Sequence, residues 1–74
     1  VMKRVIIFKN GYSVDGKTIE LPDSLENLLA TASKKLNIEA KLLFTTQGGE
    51  IDDINLIRDD ELLYVSSGEP YMGM

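Results

Sequence analysis

The sequence predicts an α+β domain, a mixed sheet packed on one helix, and three observations carry that reading. One stretch, DSLENLLATASKKL at residues 23–36, has helical periodicity. Short runs of β-branched and aromatic residues stand on both sides of it. No second stretch of comparable length repeats apolar residues at helical spacing, and a single amphipathic helix buries its stripe only against a sheet.

The helix is justified first. Leu25, Leu28, Leu29, Ala32 and Leu36 fall on one stripe. Asp23 or Ser24 can accept from the first free backbone amides, Pro22 blocks extension backwards, and Glu26 sits near the positive end of the dipole. Lys34 and Lys35 lie at the negative end. Asn37, which tolerates left-handed backbone angles, is the expected stop.

Residues 3–9, KRVIIFK, read as a strand with apolar residues on both faces, Val5 and Ile7 one way and Ile6 and Phe8 the other. Central strands have this pattern. Asn10-Gly11 and Asp15-Gly16 are turn dipeptides, and residues 17–21 then alternate polar and apolar to close a hairpin. After the helix, residues 41–46 predict a third strand and residues 47–50 a tight turn whose paired glycines supply backbone geometry. Residues 51–57 suggest a brief strand and a 3₁₀ turn. Residues 62–66 are the last strand, and the chain is expected to fray beyond Pro70. This order is that of a β-grasp, with the first strand between its hairpin partner and the last strand. The division is a domain at residues 1–70 and a tail at 71–74. The expected core is Val5, Ile7, Ile19, Leu21, Leu25, Leu28, Leu29, Leu43, Leu63 and Val65, so that Leu29→Ala should cost about 2–5 kcal/mol.

Composition narrows the function. The 74 residues are 43% hydrophobic and 27% charged, ordinary for one small globular domain. With no cysteine and no histidine, thiol nucleophiles, histidine general bases and the usual zinc ligands are excluded. The longest apolar run, from Val5 to Phe8, is far short of the roughly 18 residues of a membrane span. A soluble, intracellular, cytoplasmic setting is the expectation. The net charge of −4 is uneven: residues 1–41 carry seven basic against five acidic side chains, and residues 42–74 one against seven. That half favours basic partners and repels phosphate backbones, so nucleic acid is not expected as a partner.

Neither Asp52-Asp53 nor Asp59-Asp60-Glu61 has the ligand spacing and central glycine of a calcium loop, so no metal site is expected. No cofactor or catalytic residue is expected either, which points to a protein-binding module. Strand parity supplies its surface. With Val5 and Ile7 on the helix, Ile6, Phe8, Phe44 and Tyr64 point away from it, and Asp59, Asp60 and Glu61 form an acidic rim. That patch either lies under long neighbouring side chains or the Tyr71 tail, or docks a protein partner, or a second copy, having an apolar centre and a basic edge.

At Gly48-Gly49-Glu50-Ile51-Asp52-Asp53-Ile54 and Leu56-Ile57-Arg58-Asp59-Asp60 the chain resembles the KHA domain. The likeness runs from Arg4-Val5, through Asn10-Gly11 and Leu28-Leu29, to Gly68-Glu69-Pro70-Tyr71. KHA domains occur in plant inward-rectifying potassium channels and, in ubiquitin-like form, in a BTB-type adaptor. The resemblance therefore implies a ubiquitin-like fold and a non-catalytic role in clustering or recruitment, in channel assembly or a ubiquitin-ligase adaptor. Asn10-Gly11, Phe44-Thr45 and the segment from Tyr64 to Tyr71 are also similar to the doublecortin domain, which implies microtubule binding as the alternative. Doublecortin modules that bind acidic tubulin are basic, whereas this chain is acidic where that likeness is best, and like charges oppose association.

Overall fold

The structure, a computed structural model, describes residues 3–12 and 16–72. Asp15, half of the second turn dipeptide, lies outside them, as do residues 73 and 74 of the expected tail. Strands β1 (Arg4–Lys9) and β2 (Lys17–Glu20) precede the helix α1 (Leu25–Leu36). Strand β3 (Leu42–Phe44), a 3₁₀ turn at Ile54–Leu56 and strand β4 (Glu61–Ser66) follow it. The sheet order is β2-β1-β4-β3. β1 runs antiparallel to β2 and parallel to β4, and β3 is antiparallel to β4. The predicted α+β class, a mixed sheet on one helix, is the observed one.

Local chemistry explains the helix ends. Of the two candidate caps, Ser24 is the one used: its hydroxyl accepts from the Asn27 amide at 3.2 Å. Asn37 takes the left-handed conformation, φ 56° and ψ 45°. Ser33 then ties the exit down, donating to the Leu29 carbonyl and accepting from the Ala40 amide, both at 2.9 Å. This double use sets the short connection into β3.

The core lies between α1 and one face of the sheet. Val5, Ile7, Leu28, Ala32, Leu43, Ile57, Leu63 and Val65 are almost completely buried, with Ile19, Leu36 and Ile51 close behind. Leu21, Leu25 and Leu29 are only partly buried at its edge. The centre of the helix stripe is therefore Leu28-Ala32-Leu36, one line at four-residue spacing, and Leu25 and Leu29 flank it. Ile51 and Ile57 join the core from an irregular segment, where no periodicity announces them. Strands are shorter than the sequence suggests at Lys3, Leu21 and both ends of β3. Beyond Phe44 the chain leaves the β3–β4 ladder for the Thr45 turn.

The assignment of the stripe has a measurable consequence. Leu28→Ala should destabilise the domain by about 2–5 kcal/mol, whereas Leu29→Ala, at a half-buried site, should cost less than about half as much. Urea denaturation of the two variants measures this, and equal costs would contradict the packing described.

Candidate interaction surface

The face of the sheet turned away from α1 is built in rows by strand register. Ile6 stands beside Thr18 on β2 and Leu62 on β4. Phe8 stands beside Tyr64, which in turn stands beside Phe44 on β3. The sequence-predicted apolar residues are thus brought together on one face. They are not equally open. Leu62 is 42% exposed and Ile6 and Phe8 are half-buried, but Phe44 and Tyr64 retain only 7% and 8% of their surface.

Tyr71 covers them. The sequence reading places fraying beyond Pro70. Instead the Tyr71 ring folds back over the sheet, 5.8 Å from Tyr64 and 5.7 Å from Phe44 between centroids, while Phe8 lies 5.8 Å from Tyr64 on the other side. Tilted and edge-on pairs at such separations contribute about 0.5–1.5 kcal/mol each beyond burial. The Tyr71 hydroxyl donates to the Thr46 carbonyl at 2.8 Å. Gly48 makes room for the ring: its φ is +87°, and a Cβ there would stand 2.9 Å from Tyr71 Cδ2. Gly16 does the same under Phe8, where a Cβ would meet Cε1 at 2.6 Å.

Two polar groups hold this return. Asn10 is buried, and its side-chain amide donates to the Pro70 carbonyl at 2.8 Å while its oxygen accepts from the Met72 amide at 2.9 Å. The Glu69 carboxylate lies 2.6 Å from the Ser66 hydroxyl and 2.9 Å from that of Ser67, and also accepts from the Ser67 amide. The hydroxyl bonds from Ser66 and then Ser67 hold its carboxyl at a pKa of about 2, below the ordinary 4.5.

The acidic rim is largely committed to its own backbone. Asp59 accepts from the Arg4 amide and Glu61 from the Arg58 amide, both at 2.8 Å. Asp60 takes φ +61° in the turn, donates its amide to the Arg4 carbonyl at 2.6 Å and lies 3.4 Å from the Arg4 guanidinium. These carboxylates are exposed or half-exposed and order the entry to β4. Among the described residues no group of three or more acidic, histidine or cysteine side chains could hold a metal ion, and no helix is long and apolar enough to cross a membrane. Sequence reasoning missed Asn10 and Glu69 as structural anchors, whereas cover of the patch by Tyr71 is one of the two outcomes it allows. Asn10 reads locally as a turn residue, and nothing local signals its bond to a segment sixty residues away.

Glu69 supplies a pH test. Its depressed carboxyl contributes stability that is fully present above pH 4.5 and is lost as pH falls from there toward 2. The melting temperature of Glu69→Gln should therefore lie below that of the parent by a constant margin near neutral pH, and the margin should shrink toward nothing by about pH 2. A margin independent of pH would assign the loss to shape and not to charge.

The fold is that of a small α+β domain, a mixed four-stranded sheet on one helix. The chain belongs to the KHA family: residues 3–65 match the model described as "KHA, dimerisation domain of potassium ion channel". It is 46% identical over 71 residues to the mouse and human BTB/POZ domain-containing protein KCTD9, a match covering 96% of this chain and 21% and 18% of those proteins. It is 47% identical over 51 residues to the probable potassium channel AKT5 of Arabidopsis thaliana, covering 69% of this chain and 6% of that one. The chain thus spans about a fifth of the KCTD9 relatives and far less of the channel. In shape it is similar to the DREP2 CIDE domain, with a TM-score of 0.79, 16% identity and 100% of each chain covered. The likeness to cell death-inducing DFFA-like effector c is close to that, with a TM-score of 0.78, 17% identity and 96% and 97% covered.

Proposed function

We propose that this domain is a non-catalytic, ubiquitin-like β-grasp module that self-associates and so clusters or recruits partners for a larger cytoplasmic protein of the channel or ubiquitin-ligase adaptor kind. The observation that carries the reading is the match of residues 3–65 to a family described by dimerisation. The commitment of Asp59, Glu61 and Glu69 to the protein's own backbone and hydroxyls supports a binding role over a chemical one. The family match and the acidic second half both favour this reading over the doublecortin-like, microtubule-binding one. Sedimentation of the chain from about 1 μM to 1 mM should show the average mass rising above 8.2 kDa toward twice that value. A single 8.2 kDa species throughout would remove self-association from the proposal.

The outer strip is the surface assigned to a partner. Ile6, Phe8 and Leu62 supply its apolar centre, Phe44 and Tyr64 support it from beneath Tyr71, and Asp59, Asp60 and Glu61 border it. A photo-cross-linking residue at Leu62 of the full parent protein should capture a discrete protein adduct, whereas one at Glu26 on the far face of the helix should not. Adduct formation at Glu26 alone would move the site to the opposite side of the domain.

A further inference from the structure

The two edges of the sheet are treated differently. At β3 the outward backbone groups are occupied: Leu43 accepts from the Ile51 amide and Thr45 donates to Gly49, both at 2.8 Å, and Phe44 bridges Glu50. That edge is closed by the chain's own next segment. At β2 no described residue plays this part. The Leu21 amide donates to the Lys3 carbonyl at 2.8 Å, so the alternation of an antiparallel ladder turns the amides and carbonyls of Lys17 and Ile19 toward β1. Those of Thr18 and Glu20 point to the open side. The opposite flank of β1 agrees, since Arg4 and Asn10 direct their groups to Asp60 and Val65 next to and on β4.

Resting on the self-association reading above, we propose that two copies of this chain join through β2, edge to edge and antiparallel across a two-fold axis, doubling the four-stranded sheet. A two-fold axis normal to the sheet keeps each face on its own side, so only residues of like parity can stand opposite each other. Outward-facing groups must also meet outward-facing groups. Of the registers that satisfy both, the one that pairs both outward-facing residues of the strand sets Thr18 against Glu20 of the second copy and the reverse, with Ile19 at the axis and Lys17 opposite Leu21. The contact is self-complementary in charge: no like charges meet across it, and Glu20 retains Arg4 as its neighbour within its own copy. Ile19, already in the core, brings the two hydrophobic cores side by side at the seam. The outer strips of Ile6, Phe8 and Leu62 then lie on the same face of one wider sheet, open to a further partner.

The decisive measurement is amide exchange of the unaltered chain in parallel with its mass. As the mass doubles with concentration, the Thr18 and Glu20 amides should slow at least tenfold while exposed loop amides such as Asp52 do not. A doubled mass with Thr18 and Glu20 still exchanging freely would overturn the edge proposal and leave self-association standing at another surface. A chain that stays monomeric to 1 mM would overturn both. Thr18→Pro gives an independent arm, because it removes an outward donor that the monomer does not use. Its dissociation constant should rise at least tenfold, with the thermal transition retained. Glu26→Ala, on the exposed far face of the helix, should leave the constant within about threefold. Loss of association by the Glu26 variant and not by Thr18→Pro would overturn the assignment.

Discussion

Every other feature of the domain depends on the burial of one helical line, Leu28, Ala32 and Leu36, against Val5, Ile7, Leu63 and Val65. Each fully buried leucine, isoleucine or valine contributes roughly 1.5–3 kcal/mol, and a domain this size has few of them. That contact fixes which way β1 and β4 face. Once Val5 and Ile7 turn to the helix, Ile6 and Phe8 are committed to the other side, and with them the whole outer surface. The hairpin and the third strand extend the sheet outward from this central pair of strands.

A sheet covered by a helix on one face alone leaves the other to be managed. Here it is managed in two halves. Over Phe44 and Tyr64 the chain supplies its own cover in Tyr71, secured by the Asn10 side chain and by the Glu69 carboxylate. Leu62 it leaves exposed, and Ile6 beside it only half-buried. The same division appears at the edges, one closed by the Gly49–Ile51 segment and the other, β2, without cover among the described residues. Intramolecular cover and intermolecular availability are thus sorted to opposite sides of the sheet.

What was legible in the sequence follows the range of the interactions involved. The helix limits were readable because Ser24 and Asn37 act on backbone groups within a few residues of themselves. Strand parity was readable because it repeats, and it correctly sorted Val5 and Ile7 from Ile6 and Phe8. The centre of the stripe was less so, since Leu28 and Leu29 are adjacent on the helix and only the position of the sheet decides between them. Ile51 and Ile57 were lost because they enter the core from a segment with no period. The return of Tyr71 stood in the sequence as one of two outcomes for the patch, which the sequence could not decide for a different reason. It depends on the side chain of Asn10 and on the space left by Gly48, neither of which is near it in sequence. The acidic turn was visible as charge, but its service to the Arg4 amide could be seen only with β1 and β4 side by side.

The parallel pairing of β1 with β4 also governs how the domain bears tension. β1 begins beside Lys3, and the chain after β4 is fastened at Asn10, near the far end of β1, about 20 Å away for a six-residue strand. A pull applied through Lys3 and Met72 therefore runs along the strands. It loads the registered pairs from Val5–Glu61 to Lys9–Val65 in shear, all at once, and cannot peel them apart in turn. The Asn10 and Tyr71 contacts take the first of that load. Placed in line within a longer polypeptide, such a domain transmits force as a stiff link and holds its shape until the central ladder fails as a unit.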